Sequence, residues 1–325
     1  MKKNATNNLM TLNFWRMCIA NLLLYLSVYM LFPLFPFFME RQAGISMEQA
    51  GGVFLLFAAA MFAVGPFHAY LVDAYKRKHI YLYSMFIMLA AVWGYAFADS
   101  YTQYLLLALL QGACFGLATT AGITVAIDIT TSARRSAGNM VYAWMGRLGM
   151  LVGAMLGIWL YKIDGFRMVI YLSVAVGLLS MWFVSRVYVA FRAPMGMALC
   201  NADRFLLPRA WLPAVNMLLI TFVPGLLLPL MFTGCYWTLA ALTVWILITV
   251  PCIRMFVKLS HHCQRGTANT TCHLAMEAGL LIGAATACQL MDKVQIYRIG
   301  LVAAVLAVLF FILLTYPYYK RKRVR

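Results

Sequence analysis

Apolar residues run along this chain in stretches of about 20, separated by short polar segments that hold most of the charges. A stretch of that length predicts a helix that crosses the roughly 30 Å hydrocarbon core of a bilayer, because each helical residue rises about 1.5 Å. The pattern is that of an all-α integral membrane protein. It predicts ten spans, at approximately 13–38, 49–73, 79–98, 103–128, 137–161, 168–190, 211–231, 235–259, 267–290 and 296–318.

Basic residues alternate between the two sides that these spans define. In membrane proteins Lys and Arg gather in short loops on the cytoplasmic side, and here 19 of the 26 fall on one side, for example at 76–78, 134–135 and 320–325. The alternation predicts that both chain ends are cytoplasmic. A bacterial-type inner (plasma) membrane, whose anionic headgroups lie next to these loops, accounts for the net charge of +17.

Composition excludes other classes of protein. Hydrophobic residues make up 64% of the chain and charged residues 11%, and the mean hydropathy is +0.83, which does not describe a water-soluble protein. Nucleic acid is not an expected partner, because the basic residues lie beside spans. The first apolar run is too long for a signal-peptide core and no small-residue cleavage site follows it, so we expect it to stay as a helix.

Two segments, 135–160 and 265–290, are copies of each other, aligned without a gap at an offset of 130. They share an arginine, an asparagine and two glycines, but one matched position carries Arg147 in the first copy and Glu277 in the second. An ionised side chain at the centre of a membrane helix costs about 2.5 to 3.5 kcal/mol on insertion scales, so each asks for a function or a partner. Duplicated bundles with polar groups at the midplane are typical of carriers.

The chain is expected to fold as two pseudo-symmetric halves. Residues 1–190 hold six predicted spans, and residues 211–325 hold four spans and a basic tail. The cytoplasmic linker between them, 191–210, contains two prolines and three arginines. A weaker match between the first and seventh spans, at an offset of 195, pairs Asn21 with Asn216.

Four segments resemble motifs of one family of membrane proteins. The loop after the second span follows the pattern G-x-L-x-D-R-x-G-R-K at Leu71, Asp73, Arg77 and Lys78, and departs from it at Ala69, Ala74 and Lys76. The other three segments are Asp128–Arg135 with Gly138, the glycines at 149, 153 and 157, and Arg265–Gly283. They are similar to the loop between helices four and five, the glycine-rich helix five and the approach to helix eleven of the major facilitator superfamily.

This resemblance implies a transporter built as two bundles related by an axis along the membrane normal. It further implies that the seventh to tenth spans correspond to family helices seven, ten, eleven and twelve, so that helices eight and nine have no counterpart. Losing a pair of helices preserves the alternation of loops, in agreement with the charge pattern.

The resemblance also implies an ion-pair network that closes the cytoplasmic side. Its members would be acidic and basic residues at span ends: Asp73, Arg77, Lys78, Asp128 and Arg135. The alternative is that the basic residues only set the topology and that the carboxylates are ordinary helix-end groups.

Ionisable and amide side chains inside the spans are the candidates for a substrate and coupling cavity. Arg147 would attract an anionic or polar group of the substrate, and Glu277 would exchange a proton. His273 lies four residues before Glu277 and therefore on the same helix face, where the two could relay a proton. The alternative is that each charge is structural and neutralised by a neighbour. Three amides complete the candidate cavity, with helix-to-helix bonding as their alternative role: Asn21, Asn216 and Gln111.

No residue pattern indicates an enzyme, a cofactor or a metal site. The sequence has no phosphate-binding loop, nucleophile elbow or HExxH motif. Its eight cysteines show no pairing pattern expected of an oxidised domain. The one cluster of metal-binding residue types has no CxxC or HxxxH spacing: His261, His262, Cys263, Cys272 and His273.

These observations predict a secondary transporter of a small organic solute. Proton-coupled efflux of amphipathic compounds is the first expectation, because spans rich in Met and aromatic residues form adaptable apolar pockets. The alternative is a membrane receptor or assembly partner that has kept the fold and lost alternating access. The expected partners are the bilayer and a small-molecule substrate; protons and a second copy of the chain stay open.

Overall fold

The computed structural model describes residues 10–131, 134–190, 196–201, 205–233, 236–261, 264–290 and 293–323. Within these residues the chain is helical and contains no β-strand. A π-helical turn, Phe311–Thr315, joins the last two α-helices. The described α-helices are α1 Leu12–Tyr29, α2 Phe35–Ala43, α3 Met47–Ala63, α4 Gly65–Ala74, α5 Arg77–Gly94, α6 Tyr101–Asp128, α7 Arg135–Ser185, α8 Trp211–Leu227, α9 Tyr236–Leu259, α10 Arg265–Leu290, α11 Lys293–Phe310 and α12 Tyr316–Lys322.

Local sequence sets several of these helix ends. Ser46 and Ser100 each accept a hydrogen bond from the backbone three residues on, and Gln49 and Gln103 bond back to them, so that α3 and α6 both begin with a capping box. Such caps satisfy N–H groups at the start of a helix that have no partner within the helix. Both caps lie in short polar segments between apolar runs, where the sequence predicts loops.

Two predicted spans are formed by a pair of helices rather than one. The first span consists of α1 and α2, and the second of α3 and α4, which meet at a bend of 46°. Pro36 lies in the first turn of α2 and Pro66 in the first turn of α4. Proline has no N–H to donate and clashes with the preceding turn, so a continuous helix breaks at these positions.

Helix α7 is 51 residues long, but its backbone is non-helical at Asp164 and Gly165. A continuous helix of that length would measure about 77 Å, more than twice the hydrocarbon core. The two residues therefore divide α7 into the fifth and sixth predicted spans. Among the described helices, seven are individually long and apolar enough to cross a bilayer, or eight with α3 and α4 as one span. Counting α7 as two crossings and α1 with α2 as the first span accounts for the ten predicted spans.

Glycines bring each copy of the repeat close to a partner helix. The first copy begins α7 and packs on α1, and the second forms α10 and packs on α8. A Cβ atom on Gly153 would lie 2.6 Å from the carbonyl oxygen of Leu26, and one on the equivalent Gly283 would overlap the carbonyl of Phe222. These contacts relate α1 to α8 at an offset of 196. This offset differs by one residue from the offset of 195 at which the sequence pairs Asn21 with Asn216.

The loops with most of the basic residues lie at one end of the bundle, called here the basic end; the opposite end is called the far end. At the basic end, Arg77 at the start of α5 contacts Asp128 at the end of α6. The hydroxyl of Tyr318 in α12 donates to the carbonyl of Arg209 near the start of α8. The two halves pack together along α3 and α10, and along α7 and α9.

Candidate functional site

A cavity of about 40 Å³, lined by polar and apolar side chains, lies between the two repeat helices. Since a buried water occupies roughly 10 to 15 Å³ by this measure, the cavity has room for about three. The lining residues come from five helices: Asn21 and Tyr25 of α1; Thr119 and Ile123 of α6; Asn139, Tyr142, Ala143 and Arg147 of α7; Ile253 of α9; and Asn269, Cys272 and His273 of α10.

Equivalent positions of the two repeat copies line this cavity. Both copies begin at the basic end and run in the same direction, as parallel repeats do. The cavity is therefore formed between matching faces of α7 and α10, and the exchange of residue type between the copies makes it asymmetric. The matched pairs in its lining are Asn139 with Asn269, Tyr142 with Cys272, and Ala143 with His273.

Arg147 is the cationic group of the cavity. Only 4% of its surface is exposed, and its Nε atom has no hydrogen-bond partner among the residues that the structure describes. A guanidinium group stays protonated in proteins, and a buried charge that lacks a partner is strongly destabilising. Its planar set of donors matches the two oxygens of a carboxylate or phosphate. An anion that enters the cavity therefore has a binding partner in Arg147.

Two tyrosines of α1 contact two ionisable residues of α10, and these four are called here the central clasp. The hydroxyl of Tyr29 donates to Glu277 Oε2 at 2.7 Å, and the hydroxyl of Tyr25 lies within 3.3 Å of both ring nitrogens of His273. Each pair is spaced four residues apart and so shares one helix face. His273 Nδ1 lies 3.8 Å from Glu277 Oε1. The central clasp thus joins the two halves through hydrogen bonds.

Arg147 and Glu277 are not directly paired. Within the described part of the chain, the ion pairs closer than 4.0 Å are Arg77 with Asp128 and His273 with Glu277. The geometry therefore does not support a mutual structural pair, and it leaves Arg147 available to a ligand.

The three predicted cavity amides have different positions. Asn21 lines the cavity, and its side chain donates to a carbonyl of α7 at 2.8 Å. Gln111 lies in a separate, mostly aromatic pocket, where Tyr95 donates to its side-chain oxygen at 2.9 Å. Asn216 donates to the carbonyl of Ala307 at 2.9 Å. Gln111 and Asn216 therefore lie outside the lining of this cavity and bond within one half. In the sequence, a polar residue that lines a cavity and one that bonds two helices together both appear as a polar residue in an apolar run.

Several residues predicted for the cytoplasmic network meet at the basic end of the N-terminal half. Arg77 forms an ion pair with Asp128, which ties the start of α5 to the end of α6. The Nζ atom of Lys78 donates to the carbonyls of Ser185 at 2.6 Å and Val187 at 2.9 Å, where the sixth span ends. These contacts hold the ends of three helices together.

Asp73 and Arg135 have other surroundings. Asp73 accepts a hydrogen bond from the backbone N–H of Met197 at 3.0 Å and so fastens the linker to α4. Arg135 begins α7, and its Nε atom has no hydrogen-bond partner among the described residues. The structure therefore brings together Arg77 and Asp128 in one pair, and places Asp73 against the linker.

Replacing Asp128 by asparagine is expected to destabilise the protein by about 1.5 to 3 kcal/mol, the contribution of a hydrogen bond to a charged group. The Arg77 guanidinium would lose its charged partner, and the start of α5 would separate from the end of α6. The measurement is thermal unfolding in detergent. Asp99→Asn, at an exposed position, is the control and should leave the midpoint unchanged. An equal midpoint for both variants would assign the basic-end charges to topology alone.

Aromatic residues connect the two halves at the far end. The ring of Phe232, after α8, lies 4.5 Å from the ring of Phe37 in α2 and 5.2 Å from that of Tyr161 in α7. Arg41 donates to the Tyr161 hydroxyl at 3.0 Å. These contacts hold α2, α7 and the segment after α8 together at the far end.

Sequence reasoning missed four polar residues of the site. Asn139 and Asn269 belong to the shared frame of the repeat, so their equivalence was a signal that both face one cavity. Tyr25 and Tyr29 lie four residues apart on one span, but many apolar and aromatic pairs in this chain have that spacing. Only the contact with α10 distinguishes them.

Cys272 and His273 line the cavity, but the described residues contain no group of three or more His, Cys, Asp or Glu side chains that could hold a metal ion. Of the predicted histidine and cysteine cluster, His262 and Cys263 lie outside the described residues. His261 Nε2 lies 2.7 Å from Arg209 Nη1 at the basic end.

Comparison with known proteins places this architecture in a family. The sequence matches the family model described as Major Facilitator Superfamily over residues 17–322. The human organic anion transporter MFSD10 (TETRAN) shares the fold, with a TM-score of 0.59 and 15% identity over 93% of this chain and 98% of that one. A mutant of the nucleoside transporter NupG has a TM-score of 0.61 and 12% identity over 94% and 100%. No curated protein matches. Because the family match extends over nearly the whole chain, the protein belongs to the Major Facilitator Superfamily.

Proposed function

We propose that this protein is a secondary carrier that moves a small amphipathic organic anion across a bacterial-type inner membrane together with a proton. The observation that carries the proposal is Arg147, a buried cation that lines the cavity and whose Nε atom has no hydrogen-bond partner among the described residues. A carboxylate or phosphate group would supply that partner. One structural neighbour is itself an organic anion transporter, in agreement with this substrate class.

The rest of the cavity lining suits a substrate with both polar and apolar parts. The amides of Asn139 and Asn269 offer donors and acceptors toward the basic end, and the rings of Tyr25 and Tyr142 offer aromatic faces. Polar groups that fix orientation within a mainly apolar wall are typical of small-molecule sites. The free volume of about 40 Å³ is smaller than an organic solute, so binding would require the helices around the cavity to separate.

Charge balance supports coupling to a proton. The Glu277 carboxylate is fully buried, and among the described residues it accepts one hydrogen bond, from Tyr29 of the central clasp. An anion bound to Arg147 would bring a second negative charge into the low-dielectric site that already holds the Glu277 carboxylate, which is costly. A proton on Glu277 or His273 would restore the balance. Anion and proton would therefore bind together and move in the same direction, rather than in the exchange that proton-driven efflux requires.

We further propose that the basic end faces the cytoplasm, because Lys and Arg concentrate in cytoplasmic loops. The aromatic contacts of Phe37, Tyr161 and Phe232 would then lie on the outer side, and the cavity would be reached from the inside once the basic end opens. Both chain ends lie on this cytoplasmic side in the proposal.

Transport in reconstituted vesicles tests the proposal. We expect a panel of radiolabelled monocarboxylates, dicarboxylates and organic phosphates to contain at least one that enters faster when the outside is made acidic. Uncharged and cationic analogues of the same size are the matched controls. Faster efflux of the same anion under that gradient would contradict cotransport and support exchange. No movement of any compound in either direction would reject the carrier and favour the alternative, a receptor or assembly partner.

A further inference from the structure

Part of the linker between the halves is fastened to the second span at the basic end. The described residues of this segment, 196–201 and 205–207, are called here the linker strap. Two of its backbone N–H groups donate to α4: Met197 to Asp73 Oδ2 at 3.0 Å, and Asn201 to the carbonyl of Pro66 at 3.0 Å. Backbone donors that bond across segments in this way hold a connecting segment in one position.

Phe205 of the linker strap packs where the second span bends. The side chain is 6% exposed, and its ring centroid lies 6.3 Å from that of Phe62, edge to face. At Gly65, the first residue of α4, an added Cβ would overlap the Phe205 ring, which is the nearest group. The bend of 46° between α3 and α4 and the missing side chain at Gly65 leave the space that the Phe205 ring occupies, which is called here its seat.

The other end of the linker strap is bonded to the C-terminal half. The backbone N–H of Leu207 donates to the hydroxyl oxygen of Thr271 in α10 at 2.9 Å, and both residues are buried. Thr271 directly precedes Cys272 and His273, which line the central cavity. The linker strap therefore joins α4 to the part of α10 that forms the cavity wall.

The contact between the second span and α10 differs at the two ends of the bundle. Toward the far end the helices touch directly, since a Cβ on Gly51 of α3 would lie 2.9 Å from the carbonyl oxygen of Ala285 in α10. At the basic end α4 bends, and Phe205 and Leu207 of the linker strap connect it to α10.

We propose that the linker strap is a latch that holds the basic end of the bundle closed. Before the cavity opens on that side, either the Leu207 bond to Thr271 or the seat of Phe205 at Gly65 must be released. The consequence for transport rate rests on the proposed carrier function, but the opening itself is measurable without any substrate.

Cys272 is a built-in reporter of this opening, because it lines the cavity and is 1% exposed. The experiment uses the full chain with Cys272 as its sole cysteine, and measures its rate of modification by N-ethylmaleimide in detergent. Thr271→Val removes the acceptor of one neutral hydrogen bond, so modification should become about threefold to tenfold faster. Phe205→Ala removes a buried ring and should accelerate it by more than about tenfold. Leu206→Ala, at the adjacent and 39% exposed position, is the matched control and should have no effect.

The substitution Gly65→Ala distinguishes two causes of faster Cys272 modification, release of the latch and a general loss of packing. In the unaltered linker strap the new methyl group would displace the Phe205 ring, so Cys272 should react faster. In the Phe205→Ala background the same change should add nothing, because the group it displaces is gone. Additive effects of the two changes would overturn the proposal.

A second reporter excludes unfolding as the cause. Cys114 in α6 is 6% exposed and lies outside the cavity lining, so as the sole cysteine it should react at an unchanged rate in every variant. Equal acceleration at Cys114 and Cys272, or unchanged rates at Cys272 in both Thr271→Val and Phe205→Ala, would reject the latch. A carrier assay that fails while these rates change as expected would reject the proposed function alone.

Discussion

Replacing Arg147 by alanine is expected to abolish transport of the anion and to leave the protein folded. The guanidinium is the cavity's cation, and no ion pair within the described residues depends on it, so its removal strands no carboxylate partner at contact distance. Uptake in vesicles should fall to background, whereas thermal unfolding in detergent should change little. Arg298→Ala, at an exposed position in α11, is the control for a lost positive charge.

Glu277→Gln should uncouple transport from the pH gradient rather than destabilise the fold. Glutamine retains an acceptor for the Tyr29 hydroxyl, which donates to Glu277 at 2.7 Å, but carries no exchangeable charge.

The double variant, Glu277→Gln with Arg147→Ala, distinguishes this role in coupling from a structural one. If the two residues neutralised each other, each single change would leave a buried charge uncompensated at a cost of about 3 to 5 kcal/mol. Poor folding of both single variants and recovery in the double variant would therefore remove these residues from the site.

Gly153→Val is expected to have the largest effect on stability. A Cβ at this position would lie 2.6 Å from the carbonyl oxygen of Leu26, so the larger side chain must push α1 and α7 apart. Overpacking of a close contact costs about 1 to 3 kcal/mol or more, and the separation would also disturb Tyr25 and Tyr29 on α1. We expect a lower midpoint of thermal unfolding and a smaller monodisperse fraction after detergent extraction.

The neighbouring position provides the control for this change. Val152 is 45% exposed on the outer face of α7, so Val152→Phe adds at least as many carbon atoms without meeting a helix. Its unfolding midpoint should stay at the value of the unchanged protein. A Gly153→Val variant as stable as this control would show that α1 and α7 are not held at close contact.

The arrangement of the spans follows largely from the sequence. A bilayer has no water to satisfy backbone groups, so each crossing must be a helix with an apolar run that matches the hydrocarbon thickness. This constraint acts residue by residue, and the pattern of apolar runs accordingly predicted the helices now seen along the described chain. The repeat at an offset of 130 likewise predicted that the spans 137–161 and 267–290 are equivalent and place Arg147 and Glu277 at matched positions, and the structure begins the two helices at the matched Arg135 and Arg265.

The contacts between helices were decided by the tertiary structure. Which amides face the cavity depends on how each helix is rotated about its axis, and apolar residues on all sides give no strong signal for that rotation. Gln111 and Asn216 therefore bond within their own halves, while Tyr25 and Tyr29 join the central clasp. The packing position of Phe205 could not be predicted from the sequence either, because its seat exists only once α3 and α4 bend. Hydropathy is a local property that the bilayer enforces, whereas the cavity, the central clasp and the linker strap arise from side chains distant in sequence that meet only after the helices have packed.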